Sequence, residues 1–163
     1  MSIIIGIDPG LTGVIAVIHL DKTIDFHDTP ILNVGKKNTC NPAGMTALLR
    51  QYQGLSERLL VGIEKVHSMP GQGVASTFTF GEGYGCWLGI LAALNIPHEL
   101  ITPQAWQRAL MDGVQDKTKD SSRLVALRLF PESSDQLKLK KHHGRADALL
   151  IAEYLRRKVQ QTQ

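Results

Sequence analysis

The sequence predicts an α/β protein built on a five-stranded mixed sheet, with the first three strands antiparallel and with helices on both faces. Short runs rich in Ile, Val and Leu, typical of buried strands, recur through the first two thirds of the chain. The links between the first three runs are too short to hold a helix, whereas the later runs are separated by segments of helical periodicity. No linker, repeat or low-complexity tract divides residues 1–163, so one domain is expected.

The strands follow from these apolar runs and from the turns between them. The predicted strands are residues 3–8, 14–18, 23–27, 59–63 and 96–101. Asp21-Lys22 is a good hairpin turn, so the first three strands should form a meander. Residues 30–40 are polar and contain Gly35, and an exposed loop is expected there.

Helix boundaries are indicated by capping residues. The predicted helices are residues 42–53, 74–94, 103–111, 121–130 and 146–158. Asn41-Pro42 and Thr102-Pro103 each combine an N-cap residue with Pro at the first helical position. Pro131 ends the fourth helix, because a proline cannot continue the hydrogen-bonding pattern.

The helix at residues 74–94 is rich in glycine, which lowers helix stability by ~1 kcal/mol per residue relative to Ala. Its apolar and small residues at alternating three- and four-residue spacing define one face, namely Val74, Phe78, Gly81, Gly85, Leu88 and Ala92. Close packing within the protein is the first explanation of this face, and a dimer contact is the second.

Composition is that of an ordinary globular protein, with 43% hydrophobic and 20% charged residues. No apolar stretch reaches the length of a membrane span, and the start lacks the features of a signal peptide. Cys40 and Cys86 are too few and too far apart to suggest a disulfide framework or a zinc site. A cytoplasmic location is therefore expected.

Charge is distributed unevenly along the chain. Residues 1–116 have a net charge of −3, whereas residues 117–163 have a net charge of +6. A basic end beside an acidic body indicates a polyanionic partner such as nucleic acid, although a solvated helix face with excess Lys is the simpler alternative.

Three acidic residues lie where a metal site could form. Asp8 and Glu64 each end an apolar strand, and Asp147 lies one helical turn after His143. Carboxylate oxygens suit Mg²⁺ or Mn²⁺, and two such ions can act together on a phosphodiester. Each residue also has a simpler explanation, since Asp8 could open a turn, Glu64 could form a surface ion pair and Asp147 could favour a helix start.

The motifs together resemble the RuvC family of Holliday junction resolvases, in a branch that includes chloroplast resolvases and bacterial or phage relatives. The resemblance spans residues 3–156, and the matching segments are Ile5-Gly6-Ile7-Asp8-Pro9-Gly10, Glu64, Thr102-Pro103-Gln104-Ala105-Trp106, Lys119-Asp120-Ser121-Ser122-Arg123 and Gly144-Arg145-Ala146-Asp147-Ala148-Leu149-Leu150-Ile151-Ala152. It implies an RNase H-like fold, a homodimer, no nucleotide cofactor, and metal-dependent paired nicks in four-way DNA junctions during recombination and repair.

The resemblance also assigns site residues. Asp8, Glu64 and Asp147 would hold Mg²⁺ or Mn²⁺, with two ions per active site. Many bacterial relatives have an Asp where this chain has Gly144, and the chloroplast-like pattern favours His143 as the fourth metal-binding group, with His142 as the alternative. The imidazole could instead position the attacking water. Lys119 would stabilise charge on the scissile phosphate.

DNA contacts are expected from the loop after Glu64 and from the basic segment before the last helix, where cations would hold phosphates without reading sequence. The predicted DNA-binding residues are Lys65, His67, Met69, Gln72, Lys117, Lys119, Arg123, Lys138, Lys140, Lys141 and Arg145.

Two alternative functions stay open at this point. One is an RNase H-like nuclease that cuts RNA–DNA hybrids or branched replication DNA, and the other is a catalytically weak module that binds branched DNA.

Overall fold

The main sheet has five strands in the order β3-β2-β1-β6-β7. A computed structural model describes residues 2–68, 71–114 and 120–161. The strands of this sheet are β1 (Ile3–Asp8), β2 (Val14–Ile18), β3 (Ile24–Asp28), β6 (Leu59–Glu64) and β7 (His98–Ile101). The first three pair in antiparallel fashion, and β1, β6 and β7 run parallel. The predicted mixed sheet is confirmed.

The loop predicted at residues 30–40 is instead a β-hairpin, and that prediction is wrong. Strands β4 (Ile31–Val34) and β5 (Lys37–Cys40) pair in antiparallel register and form a separate two-stranded sheet. Gly35 adopts φ +62° in the two-residue turn between them. The hairpin escaped prediction because β4 is exposed along its whole length and therefore lacks the apolar–polar alternation of a half-buried strand.

Helices cover both faces of the main sheet, as predicted. They are α1 (Pro42–Leu55), α2 (Val74–Ala93), α3 (Pro103–Leu110), α4 (Ser121–Leu129), α5 (Ser134–Leu137) and α6 (His143–Gln161), with 3₁₀ turns at Pro131–Ser133 and Lys140–His142. One apolar core lies between the sheet and α1 and α2, and a second lies between the sheet and α3, α4 and α6. Asn41 and Thr102 cap α1 and α3 through their side chains, as expected. None of the helices described combines the length and the apolar character needed to cross a bilayer.

A glycine of the central strand β1 allows α6 to approach the sheet closely. Gly6 of β1 and Gly62 of β6 are paired neighbours in the parallel register and face the same side. A Cβ atom at Gly6 would lie 2.0 Å from the carbonyl oxygen of Ala148 and 2.6 Å from the nitrogen of Ala152, both in the backbone of α6. The helix backbone therefore rests directly on the strand backbone, and this brings the first turns of α6 to the ends of β1 and β6.

The buried side of α2 differs from the predicted one. Trp87 and Leu91 pack into the core, whereas Val74 is 88% exposed and Phe78 is 74% exposed. Gly81, Gly85 and Gly89 have no atoms within 4 Å of a Cβ position among the described residues, so internal packing does not explain them. Apolar residues surround this helix, and spacing alone could not select the buried side.

The two cysteines are in contact despite their separation in sequence. The Sγ atoms of Cys40 in β5 and Cys86 in α2 lie 3.3 Å apart, and both thiols are free. Burial and the neighbouring Cys40 raise the pKa of the Cys86 thiol to about 11. The pair therefore acts as a neutral core contact between the hairpin and α2.

Candidate active site

Three carboxylates converge at one edge of the main sheet. Asp8 and Glu64 end the adjacent parallel strands β1 and β6, one residue beyond the paired Ile7 and Ile63. Each carboxylate lies two residues after the glycine of its strand, and side chains alternate along a strand, so both face α6. Asp147 lies in the second turn of α6, which Gly6 allows to pack against the sheet. The fold thus brings together the three acidic residues that the sequence singles out.

Electrostatics show that these carboxylates interact. Burial, followed by the charges of Asp147 and Glu64, raises the pKa of Asp8 to about 8. Burial and the charge of Asp147 raise the pKa of Glu64, and burial raises the pKa of Asp147. Like charges held together in a half-buried position favour either a shared proton or a bound cation.

Neutral hydrogen-bond donors orient two of the three carboxylates. The indole Nε1–H of Trp106 in α3 donates to Oε1 of Glu64 at 3.0 Å. The hydroxyl of Ser122 in α4 hydrogen-bonds to Asp147. Each bond lowers the pKa of its carboxyl and so opposes the effect of burial. Neither donor was predicted to have a role, although both lie in segments that carry the family resemblance.

The beginning of α6 borders the carboxylates. A Cβ atom at Gly144 would lie 3.3 Å from Oδ2 of Asp8, so α6 passes closely beside this carboxylate. His143 is the exposed first residue of the helix, and its charge lowers the pKa of Asp147. Both His143 and His142 line the cleft described next, and the choice between them as a fourth site group stays a prediction.

An open cleft of about 500 Å³ leads to Asp8 and is bordered by basic residues. Its lining includes Thr12, Asp28, Lys141, His143 and Arg145. Lys138, Lys140 and Lys141 are exposed, and the guanidinium of Arg145 donates to the carbonyl of Gln136 at 3.2 Å. Burial and then the charges of Arg145, Lys141, Lys138 and Arg123 lower the pKa of His142. A positive potential therefore surrounds the entrance to an acidic site.

The other predicted DNA-binding residues differ in their surroundings. Lys65 and His67 are exposed directly after β6, and Gln72 is exposed just before α2. Arg123 instead forms a bidentate ion pair with Asp120, at 2.6 and 2.9 Å, and donates to the carbonyl of Leu137. These bonds engage the Arg123 guanidinium within the protein, and its contact with DNA stays a prediction. Met69, Lys117 and Lys119 lie outside the described residues.

The donor set suits a hard divalent cation. Asp8, Glu64 and Asp147 offer carboxylate oxygens, and their mutual repulsion is the condition that a divalent cation relieves. Among the described residues, no three or more His, Cys, Asp or Glu side chains are already drawn into a metal-binding cluster. The fit to such a cation rests on the chemistry of the three carboxylates and on their mutual repulsion.

Comparison with curated proteins identifies one informative relative. No family model matches the sequence. Over 87 residues the chain is 38% identical to the chloroplastic Holliday junction resolvase MOC1 of Chlamydomonas reinhardtii, in an alignment that covers 53% of this chain and 10% of that protein. The chain thus spans about a tenth of the length of this relative. The similarity confirms the resemblance to the chloroplast branch.

Solved structures confirm the fold. RuvC of Thermus thermophilus in complex with a Holliday junction substrate aligns with a TM-score of 0.60 and 20% identity, over 94% of this chain and 92% of that one. A second structure of Thermus thermophilus RuvC gives a TM-score of 0.54 and 19% identity, over 93% of this chain and 92% of that one. At this level of identity the similarity concerns the fold, and the predicted RNase H-like architecture is confirmed.

Proposed function

We propose that the chain is an endodeoxyribonuclease that resolves four-way DNA junctions by paired, symmetric nicks in recombination and repair. One observation carries this proposal. Asp8, Glu64 and Asp147 converge beside a basic rim, which is formed by Lys138, Lys140, Lys141 and Arg145. A relative that is a Holliday junction resolvase, and a fold similar to that of RuvC, support the choice of substrate.

Asp8, Glu64 and Asp147 would hold Mg²⁺ or Mn²⁺, with two ions per active site. Such a cation would neutralise the carboxylates and stabilise negative charge on the scissile phosphate. His143 would position the attacking water or accept its proton, because it lies at the cleft and is close enough to influence Asp147. Lys119 would add a positive charge beside the phosphate.

DNA would approach over the basic rim. Lys138, Lys140, Lys141 and Arg145 are grouped on the segment that precedes and begins α6, next to the cleft. Cations in such a group bind phosphates of any sequence and set the position of the backbone. Exposed Lys65 and His67 directly follow β6, at the same edge of the sheet as the carboxylates, and would add further contacts to the DNA.

Cleavage of a labelled synthetic four-way junction tests the proposal. We expect symmetric nicks with Mg²⁺ or Mn²⁺, none with EDTA, and none with Asp147→Asn. Linear duplex of the same sequence and an RNA–DNA hybrid are the controls. Preferential cutting of the hybrid, or tight junction binding without nicks in either metal, would overturn the assignment.

The histidine assignment is tested by paired substitutions at adjacent positions. His143→Ala should lower the cleavage rate by about 100-fold or more while junction binding changes little. His142→Ala is the matched control, since its side chain lines the same cleft and carries the same ring. Equal losses in the two variants, or normal cleavage by His143→Ala, would contradict the assignment.

The chain is further proposed to act as a homodimer through α2. Val74, Phe78, Gly81, Gly85 and Gly89 form an exposed stripe of apolar and small residues along this helix. Small residues permit two helices to approach closely, and two copies would supply the two sites that paired nicks require. This stripe is therefore the proposed contact.

Sedimentation equilibrium at micromolar concentration tests the dimer. Gly85→Gln should shift the protein to monomer, because the side chain would occupy the contact while favouring the helix itself. Gly54→Gln is the matched control, since Gly54 is an exposed glycine of α1 with no atoms of the described residues within 4 Å of its Cβ position. A monomeric wild-type protein, or an unchanged mass for Gly85→Gln, would exclude this interface.

A further inference from the structure

Trp106 holds one oxygen of a proposed metal-binding carboxylate. Its indole nitrogen donates to Oε1 of Glu64 at 3.0 Å, and its side chain is 2% exposed. An indole has one donor and no acceptor, and burial fixes the orientation of this ring. The bond can therefore restrict the Glu64 carboxylate to one orientation while Oε2 is left for other ligands.

Backbone and capping hydrogen bonds fix the position of Trp106 relative to Glu64. The amide of Lys65, the residue after Glu64, donates to the carbonyl of Ile101 at 2.7 Å. The next residue, Thr102, caps α3 by accepting the amide of Ala105 through its side chain. The helix that carries Trp106 is thus fixed to the strand end that carries Glu64 by consecutive short connections.

We propose that Trp106 is a positioning residue that orients Glu64 for divalent-cation binding, and that its indole reports occupancy of the site. This inference rests on the proposed function, because it gives Glu64 a metal-binding role. Residues that orient metal ligands through a hydrogen bond commonly change metal affinity or activity about 10- to 100-fold when removed.

Trp87 provides a matched control within the same chain. It is also fully buried, and its Nε1–H has no hydrogen-bond partner among the described residues. Trp87→Phe and Trp106→Phe therefore remove the same atoms from buried positions, and only the second breaks a bond to the proposed site. A general loss of packing would affect both variants.

The first test compares junction cleavage by the two variants. Trp106→Phe should reduce kcat by about tenfold or more and raise the Mg²⁺ concentration for half-maximal rate, with junction affinity measured in EDTA unchanged. Trp87→Phe should resemble the wild type in all three quantities. Equal kcat and equal Mg²⁺ dependence in the two variants would show that Trp106 contributes only to core packing, and would overturn the positioning role.

The second test needs no cleavage. The chain has two tryptophans, so Trp87→Phe leaves Trp106 as the sole indole. Titration of this variant with MgCl₂ in the absence of DNA should give a saturable change in indole emission, and adding Glu64→Gln should abolish it. Trp106→Phe, which retains Trp87, should give no saturable change. An unresponsive Trp106, or an equal response from Trp87, would overturn the inference.

The two tests separate this inference from the proposed function. If the wild type leaves junctions uncut but Trp106 emission follows Mg²⁺ through Glu64, the positioning role stands and the junction activity is wrong. If junctions are cut and Trp106 gives no Glu64-dependent response, the activity stands and the positioning role is wrong. Should Trp106→Phe fail to fold, the titration of Trp87→Phe decides alone.

Discussion

Gly6→Ala is expected to abolish most cleavage and to lower the melting temperature by about 5–10 °C. The added methyl would lie 2.0 Å from the carbonyl oxygen of Ala148, whereas ordinary contact begins at 3.4 Å. Both partners are backbone, so α6 must move away from β1. Asp147 would move with the helix, and a displacement of about 1 Å in a catalytic group can cost about 100-fold in rate.

Gly62→Ala is the matched control for this prediction. Its added methyl would meet Cδ1 of Ile101 at 2.6 Å and Cγ2 of Ile151 at 3.2 Å, which are side-chain atoms and not backbone. A smaller loss of stability and near-normal cleavage are expected. Thermal denaturation and the junction assay measure both effects. Wild-type stability and cleavage in Gly6→Ala would show that α6 does not need this close approach.

Asp8→Asn is expected to abolish cleavage and yet stabilise the metal-free protein at alkaline pH. The pKa of Asp8 rises from an ordinary value of 3.8 to about 8 in the folded protein. Between these values the folded state binds a proton that the unfolded state lacks, so stability falls as the pH rises from about 4 to 8. An amide has no charge to bury, and its advantage above pH 8 should be on the order of a few kcal/mol.

Melting temperatures measured in EDTA across pH 4–9 test this expectation. The variant and the wild type should coincide near pH 4 and diverge as the pH rises. Adding MgCl₂ at pH 8 should stabilise the wild type and leave Asp8→Asn unchanged. Asp28→Asn, at an exposed position in the same cleft, should behave as the wild type. A pH-independent difference between Asp8→Asn and the wild type would contradict a buried, repelled carboxylate.

Much of the fold could be predicted because the central strands β1, β2 and β6 are largely buried and therefore apolar. Every residue of β2 is buried, and its sequence is a continuous run of β-branched residues and Ala. The hairpin of β4 and β5 could not be predicted in this way, because β4 and the first half of β5 are exposed and include Asn33 and Lys37. The position and register of an exposed strand are set by the turn and by its pairing with the neighbouring strand, and hydrophobic periodicity reports neither.

The acidic site was predictable for a similar reason. Asp8 and Glu64 interrupt apolar runs at the point where the strands end, and each follows a Gly-Ile pair. That repeated Gly-Ile-acid pattern signals both the carboxylate and the close approach of a helix. The hydrogen bond from Trp106 to Glu64 joins residues 42 positions apart, and no local pattern reports a contact of that range. A hydrogen-bond donor so far away in sequence can be identified only once the fold is known.

The proposed site is divided between two parts of the structure with different resistance to local unfolding. Asp8, Glu64 and Asp147 belong to the central strands and to the long helix packed on them, where the backbone is held by the sheet and the core. Lys138 lies between the four-residue α5 and the next 3₁₀ turn, Lys140 and Lys141 lie in that turn, and all three are exposed. Short exposed segments open at lower free energy than core elements. Warming should therefore disorganise the surface that would hold DNA while the carboxylates still face one another, so that junction recognition fails before the capacity to bind a cation.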